Sequence, residues 1–214
     1  VVCRIVVLIS GSGSNLQALI DKLDRQHGEI VAVLSNRPEA FGLERARRAG
    51  IETLVLNHRD YPDRESFDRA MISTLDALQP DLLILAGFMR ILTPEFVSHY
   101  HGRLLNIHPS LLPKYKGLHT HKRALEAGDS EHGATVHFVT EELDGGPLVV
   151  QARVPVIAGD TPESLAERVQ YQEHLLYPLT MNLFASGRLR LIDSRACLDN
   201  EPLGARGIEP EQID

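Results

Sequence analysis

The first half of the chain alternates short apolar runs with amphipathic stretches. Arg4–Ile9 reads as a buried strand, and Ser14–Arg25 follows with Leu16, Leu19, Ile20 and Leu23 on one helical stripe. Ile30–Leu34, Glu52–Leu56, Leu82–Ala86 and Leu104–Ile107 repeat the strand pattern. Between them, Gly42–Ala49 and Arg64–Leu78 repeat the helical one, closed by Gly50 and by Gln79-Pro80 respectively. A β-α-β-α rhythm of this kind predicts an α/β protein with a doubly wound, mostly parallel sheet and helices on both faces.

The second half changes character. Ala134–Thr140 and Leu148–Pro155 are β-rich and flank Leu143-Asp144-Gly145-Gly146-Pro147, which predicts an antiparallel addition to the sheet. Thr161 and Pro162 form an N-cap and first-turn pair for a helix carrying Leu165, Val169 and Leu176. A kink is expected near Pro178, an end by Gly187 and a short strand at Leu189–Ile192. Residues 1–192 therefore read as one domain, and 193–214 as a loosely held tail.

Composition narrows the function classes. The chain has 214 residues, a net charge of −7 and a pI near 5.8, which argues against a nucleic-acid surface. The apolar run Leu82–Met89 is far short of the roughly 20 residues that span a bilayer. Cys3 and Cys197 form neither a disulfide framework nor a zinc spacing, and the apolar start runs straight into a glycine-rich turn. A cytoplasmic protein without nucleic-acid or membrane partners is the expectation.

The densest chemistry lies in Leu105-Asn106-Ile107-His108-Pro109-Ser110-Leu111-Leu112-Pro113. On a strand, Asn106 and His108 share a face, and Pro109 ends the strand just behind them. An amide donor beside an imidazole can hold a developing oxyanion and manage a proton; a strand end with a polar pair is the plainer alternative. Gly11-Ser12-Gly13-Ser14-Asn15 sits between the first strand and helix. It suits a phosphate monoester, or it is simply a tight turn before a capped helix. It is a poor dinucleotide loop, because Leu16 stands where a third glycine belongs and Ser35-Asn36-Arg37 replaces the acidic ribose ligand. Asp144 precedes two glycines, so it is either a turn residue or a carboxylate brought beside His108. Ten histidines include the pairs His99/His101 and His119/His121, but no metal-ligand spacing, so no metal is expected.

These segments resemble the phosphoribosylglycinamide formyltransferase family, within the folate-dependent formyltransferases. The likeness runs from the first strand to about Arg190. It is carried by Ile9 through Ala18, Ala86 through Leu92, Asn106 through Pro113, His119-Thr120-His121 and Leu143 through Gly146. It implies a Rossmann-like formyltransferase fold, with a ribonucleotide-binding half at 1–100 and a folate and catalytic half at 101–192. It further implies formyl transfer from 10-formyltetrahydrofolate, as co-substrate, to the amine of 5-phosphoribosylglycinamide, without a metal. Asn106, His108 and Asp144 match the catalytic trio. Gly11, Ser12, Gly13, Ser14, Asn15 and Glu173 match ribonucleotide contacts. Arg64, Met89, Arg90, Ile91, Leu92, Val139 and Thr140, with Asn106 and Asp144, match folate contacts. Lys116 and Gln170 depart from the family pattern, which has proline and a basic residue there. A formyltetrahydrofolate hydrolase, a transferase acting on methionyl-tRNA and a non-catalytic nucleotide-binding module are the alternatives. The tRNA enzyme would need an added RNA-binding domain.

Overall fold

The computed structural model describes residues 1–209 and Gln212. The chain runs β1 (Cys3–Ile9), α1 (Ser14–Lys22), β2 (Gly28–Ser35), α2 (Gly42–Arg48), β3 (Glu52–Val55), α3 (Arg64–Asp76) and β4 (Leu82–Leu85). It continues through α4 (Pro94–His99), β5 (Leu104–His108), α5 (Thr120–Glu126), β6 (Glu131–Phe138), β7 (Leu148–Pro155) and α6 (Pro162–Ala185). Three short strands follow, β8 (Leu189–Ile192), β9 (Arg195–Leu198) and β10 (Glu201–Pro202).

The main sheet has seven strands in the order β3-β2-β1-β4-β5-β6-β7. β3 through β5 are parallel in that order, and β6 and β7 join antiparallel. The doubly wound expectation and its antiparallel addition therefore hold. One face packs Ile5, Val7, Leu105, Val136 and Phe138 with the apolar stripes of α1 and α6. The other packs Val6, Leu8, Leu83 and Leu104 against Phe67, Met71, Phe96 and Tyr100 of α3 and α4. Alternation along each strand feeds both layers.

α6 is the long brace of the first layer. Its start is a capping box: Ser164 N donates to Thr161 Oγ1 (3.1 Å), and Thr161 N donates to Ser164 Oγ (2.9 Å). The helix is continuous through Pro178. Proline has no N–H to give the carbonyl four residues back, and Lys22 Nζ donates to that carbonyl, His174 O, at 2.9 Å. One residue earlier, the fully buried Tyr177 hydroxyl lies 2.6 Å from Leu85 O and 3.1 Å from Leu105 O. It ties the ends of β4 and β5 together.

Several boundaries differ from expectation. α1 stops at Lys22, because Leu23 turns extended and the Asp24 carboxylate caps a turn at Gln26 N. α4 and α5 were not expected; both are short, with Thr93 and a left-handed His119 as their caps. The stretch after Asp193 is a correction. Rather than a loose tail, β9 and β10 join β8 in a small antiparallel sheet, with Ala196, Cys197, Leu198 and Ile208 buried. Ile208 N donates to Val149 O of β7 at 2.7 Å.

α5 is fastened to β6 by the His121 and His132 rings, whose Nδ1 and Nε2 lie 3.0 Å apart. Burial, reinforced by His121, pushes the His132 ring down to about 4.

Two outcomes follow. Tyr177→Phe removes the buried hydroxyl that reaches both strands and should lower unfolding free energy by about 0.5–1.5 kcal/mol in urea titrations. The unfolded chain takes up the His132 proton more readily than the folded one. That contribution is complete above pH of about 6.5 and is lost as pH falls toward 4. Urea midpoints at pH 7.5 and 5 should therefore differ, and the difference should shrink in His132→Asn.

Candidate active site

The chain leaves the central strand β1 in both directions. β2 and β3 lie to one side, β4 and β5 to the other. Loops after β1 and β4 therefore diverge, and a crevice opens beyond their carboxyl ends.

The Gly11–Asn15 loop forms one wall. Gly42 N donates to Gly11 O (3.0 Å), and Arg45 Nε donates to Ser12 O (2.7 Å). In a trans peptide the next N–H points opposite its carbonyl, so tying both carbonyls to α2 turns the Ser12 and Gly13 N–H groups outward. Gly13 has φ +76°, and a Cβ there would meet Gly42 Cα at 2.7 Å, so only glycine fits. The α1 N-terminus adds free N–H groups and its positive dipole end. Asn15 Nδ2 donates to Glu173 Oε1 (3.1 Å), and Gln170 Nε2 donates to Ser14 Oγ (3.0 Å). Burial raises the Glu173 carboxyl above the usual carboxylate range, with Asn15 opposing. Gln170 thus reaches the loop as a neutral donor.

β5 carries the centre. Leu104 faces the α3/α4 core, and Asn106 and His108 continue that face past the end of the apolar layer. Across the antiparallel ladder they pair with His137 and Thr135. His108 is buried, and its Nε2 lies 2.8 Å from Tyr115 O, an acceptor only, so Nε2 carries a proton. Its Nδ1 lies 3.5 Å from Asp144 Oδ2. Both ring nitrogens face acceptors, Tyr115 O and the Asp144 carboxylate. The longer contact leaves Nδ1–H able to serve a further oxygen. Asp144 also accepts from Gly117 N at 2.9 Å. It sits at φ +51° in a turn folded onto the end of β6, where a side chain on Gly146 would collide with Phe138 O.

Thr135 supports the His108–Pro113 segment from behind. Its hydroxyl donates to Ser110 O (2.7 Å) and accepts from Leu112 N (3.1 Å) and Gln151 Nε2 (3.0 Å). Lys116 reaches Glu142 at 3.1 Å, linking the segment below His108 to the Asp144 turn.

The expected folate contacts border the same edge. Met89, Arg90, Ile91 and Leu92 form an irregular strap after β4, with Met89 and Ile91 exposed. Arg90 stacks over Phe67, its guanidinium carbon 5.1 Å from the ring centroid. Arg64 is exposed at the start of α3, and Val139 and Thr140 follow β6. Glu173 joins the glycine loop and makes no hydrogen bond with the trio among the described residues. A 460 Å³ cleft lined by Thr140, Gly145, Ser194 and Arg195 is bordered by neither Asn106 nor His108. No group of three or more candidate metal ligands forms among the described residues. His99 instead pairs with Asp76 at 2.7 Å.

Five buried side-chain atoms lack a partner among the described residues, and four belong to this edge: Asn15 Oδ1, Asp68 Oδ1, Arg90 Nε and His137 Nε2. Buried polar groups are normally paired, so their concentration here fits a polar ligand. Sequence reasoning missed His137, Thr135 and the Tyr115 carbonyl. The first two become visible only through their register against β5, and the third is a backbone group with no residue signature.

Comparison with known proteins agrees with this architecture. Residues 3–181 match the formyl transferase family. The phosphoribosylglycinamide formyltransferase of Escherichia coli (strain K12) is 58% identical over 211 residues, covering 98% of this chain and 100% of that protein. The solved structure of the phosphoribosylglycinamide formyltransferase of Coxiella burnetii superposes with a TM-score of 0.92 at 50% identity, over 97% of this chain and 98% of that one. The human trifunctional purine biosynthetic protein adenosine-3 is 48% identical over 190 residues, 88% of this chain and 19% of its own length. With a match spanning most of the sheet and relatives this similar along their length, the chain belongs to the formyl transferase family.

Proposed function

We propose that this protein transfers the formyl group of 10-formyltetrahydrofolate to the amine of 5-phosphoribosylglycinamide, a step of purine biosynthesis. The observation that carries the reading is the facing of His108 by Asp144 at 3.5 Å, with Asn106 on the same strand face. The glycine cradle stands across the switch point from them.

In this reading, Gly11 through Asn15 hold the ribonucleotide phosphate through outward N–H groups, and Glu173 steadies Asn15 and contacts the sugar side. Arg64, the Met89–Leu92 strap, Val139 and Thr140 border the folate, with Asn106 and Asp144 at its reactive end. The acceptor amine attacks the formyl carbon directly. The new C–N bond forms as the carbonyl oxygen becomes an oxyanion, which the Asn106 amide and the His108 Nδ1–H receive. Asp144 orients the ring and balances its charge. Collapse breaks the bond to the folate nitrogen, which takes a proton relayed from the attacking amine by His108 or water. No covalent enzyme intermediate and no metal enter this path. Residues 1–100 supply most of the ribonucleotide half and 101–192 the catalytic half. Action in the cytoplasm as a monomer or weak homodimer belongs to the same reading, supported by the acidic composition and unpaired cysteines.

Spectrophotometric release of tetrahydrofolate tests the proposal. Release should require 5-phosphoribosylglycinamide; release without it would identify a hydrolase. His108→Ala and Asp144→Asn should each keep the fold, by circular dichroism, and lower kcat by at least about 10²–10³. Turnover at the wild-type rate in either variant would remove that residue from the chemistry.

A further inference from the structure

The strap after β4 is held from an unexpected quarter. Ser10, the last residue before the glycine cradle, grips it twice. Ser10 N donates to Gly87 O at 3.1 Å, and Ser10 Oγ accepts from Met89 N at 2.7 Å. The hydroxyl proton is committed elsewhere, donated to Asn36 Oδ1 at 2.5 Å. With that proton directed at Asn36, a lone pair of the oxygen is left aimed at Met89 N. Asn36 is in turn held by His58, whose Nδ1 lies 3.3 Å from Asn36 Nδ2 and 3.1 Å from its carbonyl oxygen. Ser10 and Asn36 are 3% and 1% exposed, so neither serves a surface role.

The far end of the strap has one comparable anchor. Asp68 Oδ2, also buried, accepts from Thr93 N at 2.7 Å. Between the anchors, Met89 and Ile91 are 63% and 58% exposed. An irregular segment that holds two large apolar side chains in water needs fixed ends to keep its shape. Ser10 and Asn36 supply one of them, yet neither borders the folate in the reading above.

We propose that Ser10 and Asn36 are positioning residues that hold the Met89–Leu92 strap in its folate-receiving shape. Folate affinity is thereby set partly by a residue that lies just before the ribonucleotide cradle and outside it. This rests on the folate reading of the strap given above. Ser10→Ala removes one oxygen, leaves Met89 N without an acceptor and frees the strap. Asn36→Ala removes the group that orients the hydroxyl and should act through the same bond.

The test is calorimetric titration with tetrahydrofolate and, separately, with 5-phosphoribosylglycinamide. Ser10→Ala should weaken tetrahydrofolate binding by about tenfold, the scale of one buried hydrogen bond. Asn36→Ala should do the same, and the double variant should be no weaker than either single one, because the two share one chain of bonds. Ribonucleotide affinity should stay within about twofold of wild type. A Ser10→Ala protein that binds tetrahydrofolate normally, whatever its thermal midpoint, overturns the proposal. Equal weakening of both ligands also overturns it, since that marks general loosening. A wild-type protein that binds tetrahydrofolate but formylates no ribonucleotide would defeat the proposed function while leaving the strap result readable. Failure of the wild type to bind tetrahydrofolate would overturn the strap inference itself.

Discussion

Everything at the candidate site depends on β1 lying inside the sheet with its successors on both sides. A parallel strand needs a crossover, and right-handed crossovers send consecutive helices to opposite faces only when the strand order reverses. The reversal here falls between β1 and β4. It separates the loop that presents N–H groups from the strap that presents apolar side chains. β5 lies next to β4, so its polar end opens into the same crevice. Antiparallel β6 runs from the His108 end of β5 back toward Leu105, and the turn that follows it folds up so that Asp144 lies 3.5 Å from His108.

Polar burial divides this molecule into a settled part and an expectant part. Away from the crevice, His174 Nε2 is the one buried side-chain atom without a partner among the described residues, while the His174 carbonyl released by Pro178 takes Lys22 and Tyr177 reaches two strands. Thr135 satisfies three partners at once behind His108. Around the crevice the pattern reverses. Arg90 Nε, Asp68 Oδ1, Asn15 Oδ1 and His137 Nε2 are buried without partners among the described residues. Such groups raise the free energy of the isolated chain, and a ligand that pairs with them recovers it. Burial also holds His137 below the usual imidazole range, which keeps it a neutral ring beside Asn106.

Most of the fold was legible in the sequence because the strands are long apolar runs bounded by clear punctuation. Ile5 through Ile9 and Leu82 through Leu85 could not be read otherwise. α4 and α5 escaped notice because each spans about two turns or less, too little for a periodic stripe, and His119 caps α5 from a left-handed conformation. The segment after Asp193 misled because polar residues outnumber its anchors, and Cys197, Leu198 and Ile208 carry the packing. In the site, Asn106 and His108 were readable from a spacing of two. Asp144 was not, since its turn composition is ordinary and its approach to His108 is a tertiary fact supplied beforehand only by family likeness. Ser10 and Asn36 looked like a strand end and a turn, and only the fold shows that they touch.

The bond from Ile208 to Val149 has a wider meaning. β7 is the last strand of the sheet, and its outer flank would offer free N–H and C=O groups to any other extended chain. The backbone at Gly207 lies so close against Val149 O that no side chain fits there. The backbone at Gly207 and Ile208 therefore acts as a selvedge over this part of β7, where a neighbouring chain would otherwise pair.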